Sequence, residues 1–359
     1  VMPPIAHEPP AAPEGFVECS RDESAQQEDR ALAHIAAPRC DSGGYAAWRL
    51  AVTAMRAFIA QHRRDCLFIG ALPLPAPDAS RPSGDGRVYA ETEFLAFLRR
   101  AGVLEPDDWL TRPQSSAAPS RRVDGLELDG SNEPPPASAA SAFVQLAWPW
   151  LVTRHSADLP ELLEPGDGLL VGMIATAALL RGTFRSVAGT RLTEVLAASP
   201  ATAWGLGPDS AAAQLAARLC LIAPEPEGWT LVSDVTTSTH PSWQQAGVRR
   251  LTASVLRAAR TVGEGVLFEP NGPPLWTRLR LGLEDLMTGF WREGGLRGQS
   301  TEDAFTVQCD GATMSQNDID GGRLVAHIGF LPATAVERVT IVLALDPGGA
   351  VASGPREVA

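Results

Sequence analysis

The last third of the chain constrains the fold most strongly, because two different hydrophobic periods follow each other there. One set of large apolar residues recurs every three or four positions, which is the spacing of one helix face. This set comprises Leu275, Leu279, Leu283, Leu286 and Phe290. Beyond it, apolar and polar residues alternate in short runs, which predicts strands that each bury one face. The longest such run carries Val339, Ile341, Leu343 and Leu345. A long amphipathic helix packed on a sheet is therefore expected between Gly265 and Leu345.

The first half of the chain mixes helical and strand patterns. Residues 43–63 have apolar residues at helical spacing, and residues 66–71 form a short apolar run that predicts a buried strand. A further helix is predicted over residues 89–100. The stretch 110–141 is dense in Ser, Pro and Arg, as expected for a polar surface insertion. This order predicts an α/β layer.

Ordered patterns resume at residue 143. We predict a strand over 143–150, a buried helix over 169–180, a helix over 211–221, a strand over 229–235 and a helix over 244–261. The chain is thus predicted to be mixed α/β, in the broad sense of α+β. Its predicted parts are a flexible leader or arm (1–30), an N-terminal α/β portion (31–142), a core (143–345) and a C-terminal tail (346–359).

Charge and cysteine content exclude several classes of protein. The net charge is −12, which would repel a phosphate backbone, so nucleic-acid binding is not expected. The five Cys residues lack paired spacing, which favours reduced thiols and synthesis in the cytoplasm. The first residues lack the basic and then apolar run of a secretory signal. The longest apolar stretch, 169–180, is too short to span a bilayer.

Catalytic and metal-binding interpretations are weaker than structural ones. The segment Cys40-Asp41-Ser42-Gly43-Gly44 is similar to a serine protease nucleophile, but a helix N-cap explains it better because the helical context is wrong for that fold. An acidic set could bind Ca²⁺ or Mg²⁺, although its spacing fits no EF-hand and favours a solvated turn. That set is Glu302, Asp310, Asp318 and Asp320. The six His residues show no metal-ligand spacing, so neither metal nor cofactor is predicted.

Several short motifs occur in a recognisable order. The first four are Trp148-Pro149-Trp150, Glu164-Pro165-Gly166-Asp167-Gly168, Asp234-Val235-Thr236-Thr237-Ser238 and Arg249-Arg250. The next are Phe268-Glu269-Pro270-Asn271, Leu275-Trp276, Gly295-Leu296, Phe305, and Asp318-Ile319-Asp320-Gly321. In this order they resemble the signatures of contractile tail sheath proteins, found in phage tails and related injection particles. The resemblance covers residues from about 144 to 345.

The resemblance implies a lattice-forming mechanical subunit. Its C-terminal domain would have a mixed sheet with packed helices, and its partners would be copies of itself or sheath paralogues, an inner tube protein, and baseplate and terminal cap proteins. The lattice would convert from a metastable extended state to a contracted one and drive the tube through a target envelope. No enzyme activity, cofactor or membrane insertion is implied. Assembly would take place in the cytoplasm, within a particle that can be released by lysis.

Two interface hypotheses follow. Arg278, Arg280 and Arg292, which fall off the leucine stripe, are expected to face acidic residues of the tube. The strand of Val339, Ile341, Leu343 and Leu345 is expected to lie at a sheet edge where a neighbouring subunit adds a strand. Two alternatives remain open: a specialised paralogue at the baseplate or terminal end of the particle, and a hydrolase.

Overall fold

The structure is a computed structural model that describes residues 39–40, 42–75, 141–199, 215–238, 240–266, 269–334, 338–346 and 349–353. The predicted helix over 89–100 and the predicted insertion at 110–141 lie almost wholly outside these residues. So do the leader over 1–30 and the motif residue Phe268.

We call the elements up to residue 231 the N-terminal unit and those from residue 241 onward the C-terminal unit, because each group contains one of the two larger sheets. The N-terminal unit contains β1 (Arg39–Cys40), α1 (Ser42–His62), β2 (Phe68–Ala71), β3 (Leu74–Pro75), β4 (Val144–Trp148), β5 (Trp150–Thr153), α2 (Gly166–Arg181), β6 (Arg191–Leu192), β7 (Val195–Ser199), β8 (Cys220–Glu225) and β9 (Gly228–Leu231). Two single-turn 3₁₀ helices cover Ser156–Asp158 and Pro160–Leu162. The C-terminal unit contains α3 (Pro241–Gln244), α4 (Ala246–Glu264), α5 (Pro273–Arg292), α6 (Thr301–Ala304), β10 (Phe305–Gln308), α7 (Gln316–Asp320), β11 (Leu324–Phe330), β12 (Val339–Asp346) and β13 (Gly349–Ser353).

A five-stranded mixed sheet in the order β2-β4-β8-β9-β6 organises the N-terminal unit. Strands β2, β4 and β8 are parallel, whereas β9 is antiparallel to β8 and to β6. Successive residues of a strand face opposite sides of the sheet, so Leu146 and Trp148 pack with Val52 of α1, and Ala147 packs with Leu170 of α2. The sheet is therefore a layer between α1 and α2.

The C-terminal unit is an antiparallel sheet covered by helices. Its order is β10-β11-β12-β13, and β11 and β12 pair over seven residues, from Leu324 opposite Leu345 to Phe330 opposite Val339. Buried residues of α4 and α5, among them Val255, Leu279 and Leu283, join the strands in one core. The close approach of Gly263 to Leu345 brings α4 directly onto β12.

The mixed α/β prediction is confirmed, and so are the leucine stripe of α5 and the alternation along β12. Three local predictions are wrong. Residues 220–221 belong to strand β8 and not to a helix. The residues Asp318-Ile319-Asp320 lie in the one-turn helix α7, because Ser315 and Asp318 form a reciprocal capping box around its first turn. The mixed sheet is the five-stranded one, and the C-terminal sheet is antiparallel throughout its described strands.

Candidate assembly surfaces and the buried polar junction

A buried ion pair joins the two units. Both carboxylate oxygens of Asp234 accept hydrogen bonds from the Arg250 guanidinium, at 2.9 Å and 2.6 Å. Asp234 also accepts from Gln145 of β4 (3.1 Å) and from the backbone N–H of Val187 (3.0 Å). The remaining Arg250 donors reach the carbonyls of residues 183 and 185. Because each charged group is satisfied by several partners, the junction fixes α4 against the central sheet.

The electrostatics of this junction are set by burial and by Arg250. Burial alone would raise the pKa of Asp234, but hydrogen bonding and the positive charge of Arg250 outweigh it, so that pKa is lowered. Burial, together with the charge of Asp234, raises the pKa of the nearby Cys220 thiol to about 12. Cys220 therefore remains a protonated, buried thiol at neutral pH, which suits a core residue and not a nucleophile.

The threonines of the same motif extend the junction. The Thr236 hydroxyl donates to the Trp243 carbonyl at 2.8 Å, which links the motif to α3. The Thr237 hydroxyl accepts from the Ser141 backbone N–H at 3.0 Å, which links it to the entry of β4. In this chain the Asp-Val-Thr-Thr-Ser motif thus connects a strand to a helix through hydrogen bonds.

The two arginines at the start of α4 differ in their partners. Arg250 is paired with Asp234 inside the subunit. Arg249 is buried, donates to the backbone carbonyl of Arg64, and stacks 4.1 Å from the centroid of the Phe143 ring. Burial, with repulsion from Arg64, lowers the pKa of Arg249 to about 9.

The outer face of α2 is apolar and exposed, contrary to the predicted buried helix. Leu179 is 87% exposed and Leu180 is 77% exposed, whereas Leu170 on the inner face is fully buried. Val171 and Ala175 continue the exposed stripe at a spacing of four residues. No charged residue occurs between Asp167 and Arg181. We call Val171, Ala175, Leu179 and Leu180 the α2 face.

A second exposed apolar stripe lies on α1, on the other side of the central sheet. Leu50 is 69% exposed and Phe58 is 54% exposed, and Ala54 lies between them at the same spacing. The buried side of this helix is carried by Val52 and Ile59. We call Leu50, Ala54 and Phe58 the α1 face. Exposed apolar surfaces of this kind mark contact sites.

Strand β12 is not an edge strand over its C-terminal half. It pairs with β11 on one side, and residues 342–346 pair with β13 on the other. Val339, Ile341, Leu343 and Leu345 are all buried against the helices, so their side chains build the core. Among the described strands, the edges of this sheet are β10 and β13, together with residues 339–341 of β12. Strand β13 lies in the segment predicted to be a tail.

The three arginines proposed to face a tube do not form one surface. Arg278 pairs with Glu269, and Arg280 pairs with Glu284 at 2.9 Å. Arg280 lies roughly 160° around α5 from Arg278, whereas Arg292 lies within about 40° of it. Arg278 and Arg292 are exposed and share a helix face, and Arg280 is half-buried.

The other motif residues hold loops together. Trp148 is fully buried and precedes the cis peptide bond to Pro149, and the Trp150 ring N–H donates to the Leu72 carbonyl at 2.9 Å. The side-chain oxygen of Asn271 accepts from the Trp276 ring N–H at 2.7 Å. Gly272 occupies the N-cap position of α5.

The remaining motif residues also have structural positions. Phe305 is buried, while Pro270 and Asp320 are exposed. Asp320 accepts from Gln316, and Gly321 ends α7.

Two other kinds of site are absent from the described residues. Within those ranges, no group of three or more His, Cys, Asp or Glu side chains is arranged to hold a metal ion. Within the same ranges, no helix has the length and apolar character needed to cross a membrane. Cys40 and Cys66 are partly exposed cysteines.

The chain is similar to chains in several solved structures of contractile particles. One is in the anti-feeding prophage (AFP) baseplate, with 23% identity and a TM-score of 0.49 over 57% of this chain and 55% of that chain. Another is in the PVC sheath complex of an extracellular contractile injection system in its contracted state, with 27% identity and a TM-score of 0.48 over 55% and 54%. A third is the sheath tail protein of Listeria innocua, with 12% identity and a TM-score of 0.44 over 57% and 46%.

These structures comprise a baseplate, sheaths in the contracted state and sheath tail proteins. The chain spans about half the length of the solved chains it matches. No protein-family model and no curated protein sequence matches the chain.

Proposed function

We propose that this chain is a structural subunit of a contractile sheath that surrounds an inner tube. The observation that carries the proposal is the pair of exposed apolar faces on opposite sides of one sheet, the α1 face and the α2 face. A closed dimer needs a single self-complementary patch, whereas a continuing lattice needs two different surfaces on each copy. The order of the sheath-like motifs favours a contractile sheath as the kind of lattice that the subunit forms.

Contraction would use the rigidity of the subunit. The Asp234–Arg250 junction fixes α4 to the central sheet, so each copy would move as one body while its contacts with neighbours change. Energy would be stored in a metastable extended lattice during assembly in the cytoplasm, and lysis would release the particle. Sheath copies or paralogues, an inner tube, and baseplate and terminal cap proteins are the proposed partners, and no enzymatic or cofactor chemistry is required.

For the tube contact we retain Arg278 and Arg292, which share an exposed face of α5. Arg280 is better explained by its pair with Glu284 within the helix. Reversing the charge of Arg278 and Arg292 together should prevent sheath formation on tubes while leaving the free subunit folded. Sheath formation that is unchanged in the double variant would contradict this contact.

The lattice itself can be tested with two blocked variants. Leu50→Asp with Phe58→Asp blocks the α1 face, and Leu179→Asp with Leu180→Asp blocks the α2 face. If the two faces bind each other, each variant alone stays monomeric in sedimentation velocity, and an equimolar mixture forms dimers. Wild type forms longer assemblies, visible by negative-stain microscopy.

Leu281→Asp is the matched control, because Leu281 is also an exposed leucine but lies on α5, outside both faces. It should assemble in the same way as wild type. Dimers formed by one blocked variant alone would mean that its remaining face binds a copy of itself, which would overturn the head-to-tail lattice.

One observation favours a second candidate, a specialised paralogue at the baseplate or terminal end of the particle. Strand β13 pairs with β12 of the same chain from Val342 to Asp346. It therefore occupies part of an edge where the strand of a neighbour would add. Counting copies of the chain per particle by quantitative mass spectrometry separates a main sheath subunit from a terminal one.

A further inference from the structure

An arginine cluster lies where the end of α1 meets α4. We define it as Arg63, Arg64, Arg249, Arg257 and Arg260, which lie close to one another around Asp65. Arg63 donates to both oxygens of that carboxylate, at 3.1 Å and 3.2 Å. Arg257 donates to the Asp65 backbone carbonyl at 3.2 Å. Within the part of the chain that the structure describes, Asp65 is the carboxylate that accompanies these five guanidinium groups, in a protein whose net charge is −12.

Some positive charges of the cluster are buried and lie close together, which lowers the pKa values of two of its members. Asp65 is only 4% exposed, and its pKa is lowered first by the hydrogen bond from Arg63 and also by the charges of Arg63 and Arg260. Burial lowers the pKa of Arg64, and burial plus the charge of Arg64 lowers that of Arg249. The Nε atoms of Arg249 and Arg260 are buried and have no hydrogen-bond partner. A buried surplus of positive charge is stabilised by an additional anion.

Two members of the cluster are accessible to such an anion. The side chains of Arg63 and Arg257 are exposed, while Asp65, Arg249 and the inner part of Arg260 lie beneath them. Multivalent carboxylates on a peptide would suit this arrangement, because guanidinium groups pair well with carboxylates.

We infer that the acidic segment 18–29 of this same chain docks on the arginine cluster. The segment reads Glu-Cys-Ser-Arg-Asp-Glu-Ser-Ala-Gln-Gln-Glu-Asp, with five carboxylates and one guanidinium. Its net charge of −4 is equal and opposite to that of the cluster with Asp65. It lies outside the described residues, and the inference rests on the cluster and on charge complementarity, independently of the proposed sheath function.

The length of the intervening chain permits this contact within one subunit. The cluster lies at the C-terminal end of α1, and Arg39 lies just before its N-terminal end. Twenty-one helical residues span about 31 Å, at 1.5 Å per residue. Asp22 precedes Arg39 by seventeen residues, which can reach at most about 60 Å when extended. Docking therefore consumes about half of the available length.

The test is limited trypsin digestion of the full chain, with cleavage after Arg30 followed by mass spectrometry. Neutralising the cluster with Arg63→Gln and Arg257→Gln should raise the cleavage rate about five-fold, as expected for the loss of two ion pairs at the surface. Asp22→Asn with Glu23→Gln should raise it equally. Combining all four changes should give no further increase, because the two sets remove the same contact.

Salt and control variants complete the design. Raising the salt to 1 M shortens the screening length from about 10 Å to about 3 Å and should accelerate cleavage of wild type but not of the fourfold variant. Arg154→Gln with Arg181→Gln removes two exposed arginines outside the cluster and should leave the rate unchanged. If the double cluster variant is unfolded by circular dichroism, Arg63→Gln alone should still give about a two-fold increase.

Three outcomes would overturn the inference. Cleavage rates equal to wild type in the cluster variants would show that the cluster does not protect the segment. Additive effects of the two pairs of substitutions would show that they act separately. Protection that increases with protein concentration would assign the contact to another copy and not to the same chain.

Discussion

Helices α2 and α4 distribute their residues in opposite ways. Helix α4 carries Arg249 and Arg250 into the interior, whereas α2 places Leu179 and Leu180 in solvent. Composition alone would assign α2 to the core and α4 to the surface. The difference lies in the partners: the charges of Arg250 are satisfied by Asp234 and backbone carbonyls within the subunit, and the leucines of α2 have no such internal surface. Side chains left without suitable partners inside a subunit indicate where another molecule binds.

The largest expected effect comes from removing the internal partner of an arginine on α4. Asp234→Asn keeps the shape of the side chain but leaves the buried Arg250 without its counter-charge. We expect the free energy of unfolding to fall by about 3–5 kcal/mol, measured by urea denaturation. The matched control is Glu284→Gln, which removes the half-buried i, i+4 partner of Arg280 and should cost about 0.5 kcal/mol or less.

Acid offers an independent test of the same pair. Because the pKa of Asp234 is lower in the folded state than its unfolded value of about 3.9, the pair stabilises the fold above that value. This stabilisation is lost as the pH falls through the folded-state pKa. The stability difference between wild type and Asp234→Asn should therefore be constant at neutral pH and shrink below about pH 4. A difference that stays constant into this acidic range would contradict the ion pair.

The next effect separates the two faces of α2. Leu170→Ala removes a fully buried side chain and should cost about 2–5 kcal/mol in the free energy of unfolding. Leu179→Ala makes the same chemical change on the exposed face and should alter it by less than about 0.5 kcal/mol. Equal losses for the two variants would mean that the α2 face is packed inside the subunit and is not a contact surface.

The sequence correctly predicted the helices and strands whose apolar residues recur with a regular period. The predicted bounds of α1 and the predicted leucine stripe of α5 agree with the structure to within a residue or two, because the 3.6-residue period of a helix is visible in the sequence. Alternation likewise predicted β12. The exposure of α2 was not predictable, because an apolar helix has no polar side to reveal which face meets solvent. Residues 220–221 were misassigned because a short apolar run fits a helix or a strand equally well.

The sites required contacts that are distant in sequence. Asp234 and Arg250 were both singled out by motif, yet nothing local showed that they pair, and Gln145 joins them from 89 residues away. The edge assignment of β12 failed because β13 follows Pro347 and Gly348 in a stretch rich in glycine, which is typical of a tail.

The smallest expected effects compare one glycine in each helix. A Cβ atom on Gly247, near the start of α4, would lie 2.5 Å from the Phe184 carbonyl oxygen, so Gly247→Ala should cost about 1–3 kcal/mol in stability. A Cβ atom on Gly172 of α2 would meet nothing within 4 Å. Gly172→Ala should therefore stabilise the free subunit by about 0.5–1 kcal/mol, through better helix propensity.

The two glycines also distinguish folding from assembly. Gly172 lies one position from Val171 on the outer side of α2, where a small residue permits close approach of a neighbour. If the α2 face is a contact between copies, Gly172→Ala should raise the melting temperature of the monomer and weaken its association in sedimentation velocity. The added methyl group weakens association only if it meets a neighbouring copy. Association as strong as in wild type would therefore place Gly172 outside the contact and confine the α2 face to the side carrying Leu179.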